Sequence, residues 1–106
     1  MKALLLLALV PLPAVAAALN GADIALHGTD HGALPCTACH GMELQGNPAI
    51  GAPALAGKPA AMTLGALAAI AAGKLGTNTV MRNVAIALTP AERAAVASYL
   101  ANLRAK

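Results

Sequence analysis

The sequence predicts an all-α fold of short helices packed around something other than an aromatic core. In the second half of the chain, apolar residues recur at the three- and four-residue spacing of a helix face, and no segment alternates convincingly with period two. Apolar bulk is scarce where a core would need it. Hydrophobic residues make up 58% of the 106 residues, yet Trp and Phe are absent and Tyr99 is the one aromatic side chain.

The elements follow in order. Met1 and Lys2 give a positive start, Ala3 to Val10 is uninterrupted apolar sequence, and Pro11, Pro13 and the small residues Ala14 to Ala18 come next. Charged start, short apolar run and small residues read as a secretory signal peptide cleaved between Ala16 and Ala18, so residues 1–18 are expected to be the leader and 19–106 one domain. The run is short for a membrane span of about 20 residues and is broken by prolines, which disfavours a retained anchor. Leu19 to Leu34 holds Gly21, Gly28 and Gly32 and predicts at most a short helical turn near Asp23 to His27. Past residue 41, glycines at 46, 51 and 57 alternate with prolines at 48, 53 and 59, which forbids a long helix. An ordered loop tied down by Ile50 and Leu55 is expected there.

Three helices complete the domain. Pro59 is a plausible first-turn residue, Leu64, Leu67, Ala68 and Ala71 recur at helical spacing, and Gly73 is a stop. A second helix is expected from Met81 to Ala87, with Met81, Val84, Ala85 and Leu88 on one face. Thr89-Pro90-Ala91-Glu92 is a capping box with proline in the first turn, and Val96, Tyr99, Leu100 and Leu103 then line one face of a third helix.

The chemistry concentrates in "CTACHG". Cys36, Cys39 and His40 form C-x-x-C-H, the signature for covalent c-type haem attachment. Cysteines one helical turn apart can reach two vinyl groups along one porphyrin edge, and the following histidine can reach the iron. A secretory leader agrees with this, since such attachment occurs outside the cytoplasm. A haem would also supply the apolar bulk that a domain this small lacks. Two other readings stay open. A disulfide oxidoreductase would need a βαβ context around C-x-x-C, which is missing. A zinc site would need four ligands, and His27 and His31 could join the cysteines only at unusual spacing.

A thioether opposite histidine suits electron transfer. Of the four methionines, Met1 leaves with the leader and Met42 is too close to His40 to reach the other face of the ring. Met62 reads as a core gap-filler in a helical first turn. Met81 ends the irregular stretch "GTNTVMRN", where a loop can bring its sulfur across the ring and Asn78 or Arg82 could face a propionate. The formal net charge is +3; the charges are dispersed and no aromatics interleave with them, which excludes a nucleic-acid-binding reading. Asp23, Asp30, Glu43 and Glu92 are scattered and read as solvated, and His27 and His31 as surface residues. No catalytic residue is assigned.

Taken together, "CTACHG", "GNPAIGAPALAGKPA", "NTVMRNVAIAL" and "LTPAERAAVASYLANL" resemble the small class I c-type cytochromes of the bacterial periplasm. The resemblance implies a class I cytochrome c fold of three to five short helices around one covalently bound haem. It implies that haem c is held through Cys36 and Cys39 and that His40 and Met81 are the axial iron ligands. It further implies that the Pro53 carbonyl accepts a hydrogen bond from His40 Nδ1 and that Leu55 packs on the haem. Tyr99 falls on an aromatic position of the C-terminal helix. The family's N-terminal helix, which crosses the C-terminal one, is expected to be short or absent here. The implied role is that of a periplasmic electron carrier, not an enzyme, serving donor and acceptor redox proteins and meeting a membrane only if the leader is retained. A haem subunit of a dehydrogenase or oxidase complex, or a haem sensor or peroxidase-like protein with an open sixth site, are the alternatives.

Overall fold

The structure, a computed structural model, describes residues 19–105. The expected leader lies outside the described residues. Among them are five α-helices and no strand. The helices are α1 (Gly21–His27), α2 (Thr37–His40), α3 (Ala60–Ala71), α4 (Thr79–Ala87) and α5 (Pro90–Ala101), with a 3-10 turn at Pro48–Ile50. No described helix is long and apolar enough to cross a membrane.

The N-terminal helix, expected to be short or absent, is short at seven residues and still makes the crossing on α5. Asn20 caps it by accepting the Asp23 N–H at 3.1 Å, and Gly28 stops it at φ 76° while donating to Ile24 O at 2.8 Å. Its glycine is an asset at the crossing. A Cβ on Gly21 would collide with the Ala95 carbonyl and stand 2.9 Å from Tyr99 Cβ. The bare backbone therefore lets α1 lie directly on α5 and bury Ile24 and Ala25. Glycine lowers helix propensity, but here tertiary packing decides.

The remaining helices follow their caps. The expected capping box is made: Glu92 N–H donates to Thr89 Oγ1 at 3.1 Å and Thr89 N–H to Glu92 Oε1 at 2.9 Å. Glu92 is buried, 7% exposed, which corrects its reading as solvated. Val96, Ala97 and Leu100 form the buried stripe of α5, with Tyr99 and Leu103 packed at its edge. Helix α4 starts two residues earlier than periodicity placed it, because Asn78 caps it. Its C-terminal end is tied to α5 by Arg93, whose Nε and Nη2 donate to Ala85 O at 3.1 and 2.9 Å. In α3, Pro59 stands at the cap position; of the expected face Leu64, Leu67, Ala68 and Ala71 only Leu67 is buried, and Thr63 is buried beside it. With alanine on most sides of the helix, apolar spacing alone could not fix its facing.

The loop after the cysteine motif is ordered by its backbone. Leu44 O accepts from Leu55 N and Ala56 N at 2.9 and 3.0 Å, Asn47 and Ala52 exchange two bonds, and Gly57 N donates to Leu100 O at 2.9 Å. Leu55 packs against the core as expected. Ile50 is 58% exposed and does not tie the loop down.

Candidate functional site

Cys36 caps the one-turn helix α2, and its carbonyl accepts the N–H groups of Cys39 and His40 at 3.4 and 3.0 Å. Cys36 and Cys39 are thus near neighbours along a single turn. They are not joined in a disulfide. Burial pushes the Cys36 thiol up, against a smaller opposing effect of a backbone hydrogen bond. A redox-active C-x-x-C belongs to a βαβ context, and no strand flanks the motif among the described residues, which argues against the oxidoreductase reading. The zinc reading also fails. His27 Nδ1 pairs with Asp23 at 3.0 Å, and His31 pairs with Asp30 and Glu92 at 3.3 and 3.1 Å. No metal-holding cluster occurs among the described residues.

His40 is 7% exposed and fixed at both ends. Its carbonyl accepts Gly46 N–H at 2.7 Å, and its Nδ1 lies 2.8 Å from Pro53 O. A carbonyl can only accept, so Nδ1 carries the proton and Nε2 keeps its lone pair. Nε2 has no hydrogen-bond partner among the described residues, and His40 lines a cavity of about 310 Å³. A buried imidazole oriented by a carbonyl, with a bare Nε2, is how a metal-ligating histidine is prepared.

The same cavity is lined by all six residues that the sequence analysis assigned to the haem site: Cys36, Cys39, His40, Pro53, Leu55 and Met81. Met81 is half-buried on the first turn of α4, where its N–H donates to Asn78 Oδ1 at 2.8 Å. Helix α3 contributes Thr63 and Leu67, and α5 contributes Val96 and Leu100. Leu34, Ile50 and Val80, each at least half exposed, line its more open parts. Met62 is exposed and does not line the cavity, and neither does Arg82, whose guanidinium lies over Gly73 at the end of α3. The lining is overwhelmingly apolar, with bare thiols, one imidazole nitrogen and one thioether as its soft donors. That donor set fits a porphyrin attached through two sulfurs and ligated through its iron.

The sequence profile of the cytochrome c family matches residues 27–104. The chain belongs to the cytochrome c family. As a cytochrome c it carries haem c, bound covalently through Cys36 and Cys39 of the C-x-x-C-H motif. No curated protein matched the chain. Among solved structures, reduced recombinant cytochrome c4 from Pseudomonas stutzeri is 33% identical, with a TM-score of 0.75, over 87% of this chain and 50% of that one. Cytochrome c4 from Acidithiobacillus ferrooxidans is 31% identical, with a TM-score of 0.72, over 78% and 47%. The thiosulfate dehydrogenase TsdBA from Marichromatium purpuratum is 32% identical, with a TM-score of 0.75, over 80% of this chain and 18% of that one. This cytochrome c therefore spans about half the length of the cytochrome c4 chains and under a fifth of the dehydrogenase chain.

Several lining residues were not assigned to the site from the sequence, among them four on α3 and α5. Thr63, Leu67, Val96 and Leu100 line the cavity from two helices distant in sequence. Only the crossing geometry reveals that for α3, whereas Val96 and Leu100 were already legible as an inward face.

Proposed function

We propose that this cytochrome c is a periplasmic one-electron carrier whose haem iron is held by His40 Nε2 and Met81 Sδ. The observation carrying it is that the bare Nε2 of a buried, carbonyl-oriented imidazole shares one cavity with the Met81 side chain. Bound haem supplies an iron that gains and loses one electron, and methionine–histidine ligation raises its potential. The chain's own residues hold and tune that iron. Cys36 and Cys39 fix the ring, Pro53 O orients His40 and strengthens it as a donor, and Leu55, Leu67 and Val96 exclude water. Residues 1–18 serve as the export leader, and donor and acceptor redox proteins meet the molecule where the cavity is open.

A haem subunit held permanently in a larger enzyme is the second reading, favoured by the likeness to part of a thiosulfate dehydrogenase. A catalytic chain that co-purifies with it would select that reading.

The test is the intact mass and pyridine haemochrome spectrum of protein made by cells competent for haem attachment. One haem per chain and a mass lacking the leader are expected. In the ferric protein, the sulfur-to-iron charge-transfer band is expected in wild type and absent in Met81→Ala. A band that survives in Met81→Ala rejects Met81. Fast carbon monoxide binding to reduced wild type would mean an open sixth site.

A further inference from the structure

We infer that Asn78 is a positioning residue for Met81, making its side-chain cap while the sulfur is on iron and losing it when the sulfur leaves. The inference rests on the Met81 ligation proposed above. The first N–H groups of a helix have no intrahelical partner, and Met81 carries one of them. Asn78 engages two successive N–H groups: its Oδ1 takes the otherwise unpartnered Met81 N–H at 2.8 Å, and its carbonyl takes Arg82 N–H at 3.1 Å as the first bond of the helix. The backbone on which the Met81 side chain hangs is thus held from both sides by one residue.

Little else holds it. Residues 72 to 77 and Thr79 are exposed and do not line the cavity, so apolar burial contributes little to placing most of this segment. Gly76 sits at φ 73°, and nothing lies within 4 Å of where its Cβ would stand. The segment's other ties lie at its start, where Lys74 N–H donates to Ala69 O at 2.8 Å and the Arg82 guanidinium covers Gly73. Asn78 itself lines the cavity. Release of the sulfur needs the first turn of α4 to swing or fray, and that motion breaks the Asn78 cap. The strength of the cap therefore belongs to the sulfur-bound state.

The experiment is a titration of imidazole, which competes with the sulfur, into the ferric, haem-loaded protein. Asn78→Ala is expected to bind imidazole about tenfold more tightly, within a span of roughly 2- to 30-fold set by the worth of an asparagine cap. Asn78→Asp and Asn78→Ser keep a capping oxygen and are expected within about twofold of wild type. Asn78→Leu keeps the volume, lacks the acceptor and is expected to follow Asn78→Ala. A lowered thermal midpoint in Asn78→Ala with unchanged imidazole affinity overturns the inference, because a purely structural cap would stabilise both states alike. Failure of both Asn78→Ala and Asn78→Leu to yield haem-loaded protein overturns it too. Met81→Ala separates the underlying reading: if its imidazole affinity equals that of wild type, the Met81 ligation itself is wrong.

Discussion

His31 Nε2 lies 3.1 Å from Glu92 Oε1, joining the glycine-rich loop before the cysteine motif to the first turn of α5. The hydrogen bond to Glu92, and then that to Asp30, raise the imidazole above its ordinary 6.5. Glu92 falls below its ordinary 4.5, chiefly through the Thr89 backbone N–H, with His31 adding to the effect and burial opposing it. A raised imidazole contributes stability in full below the unfolded value and loses it as pH rises through the folded one. A lowered carboxyl contributes above its unfolded value and loses it as pH falls through the folded one. Both contributions coincide between about pH 5 and 6. The thermal midpoint of the ferric protein is expected to be highest there and to decline on the alkaline side. In His31→Gln that alkaline decline should shrink while the acid limb stays, because the Thr89 bond remains. Parallel curves for the two proteins would show that the pair adds nothing.

Two glycines should respond oppositely to the same change. In Gly21→Ala the new Cβ meets the Ala95 backbone, which cannot step aside like a flexible side chain. Pushing α1 off α5 should cost about 1–3 kcal/mol, the usual penalty of overpacking. Gly65, inside α3, has nothing within 4 Å of its added Cβ. Gly65→Ala should therefore stabilise by about 0.5–1 kcal/mol, the helix-propensity difference. Denaturant unfolding of the ferric proteins measures both. Equal shifts would mean that the close crossing is not maintained in solution.

Leu44 is 1% exposed and takes a left-handed backbone, φ 59°. That conformation costs an L-residue about 1–2 kcal/mol. Its carbonyl, which receives two N–H groups from the far side of the loop, offsets the strain. Leu44→Ala keeps the unfavourable φ and loses the burial, so a loss of about 2–5 kcal/mol is expected. The denaturant slope should not change. A loss under about 1 kcal/mol would mean that the loop carrying Pro53 is not anchored through Leu44.

What could be read in advance divides along physical lines. Local signals were legible. Thr89 to Glu92 announced a cap that depends on four consecutive residues, and Cys36, Cys39 and His40 announced a chemistry fixed by spacing. The six residues assigned to the site do share one cavity. Signals that depend on a partner element were not legible. Gly21 looked like a helix breaker because its use, contact with Ala95, lies across the fold. Leu44 gave no sign of its left-handed backbone, and His31 none of its attachment to Glu92. In α3, apolar spacing pointed to Leu64, Leu67, Ala68 and Ala71, and with alanine on most sides it was contact with α5 and the cavity that turned Thr63 and Leu67 inward.

Haem removal should cost this molecule more than a cofactor. Its largest fully buried side chains are Leu44, Leu100 and Val96, and two of these three also line the haem cavity. Val84 and Leu88 likewise serve both core and cavity. With no Trp or Phe anywhere in the chain, much of the apolar core contributed by α4 and α5 also faces the cavity a haem would fill. Small domains have thin margins even with a complete core. Protein made without haem, as the Cys36→Ser, Cys39→Ser double variant, is expected to lose much of its helical signal and to melt over a broad range without cooperativity. The haem-loaded wild type should melt sharply. A sharp thermal transition in the haem-free chain would show that the side chains alone close the core, and the haem would then be a passenger in a fold that stands without it.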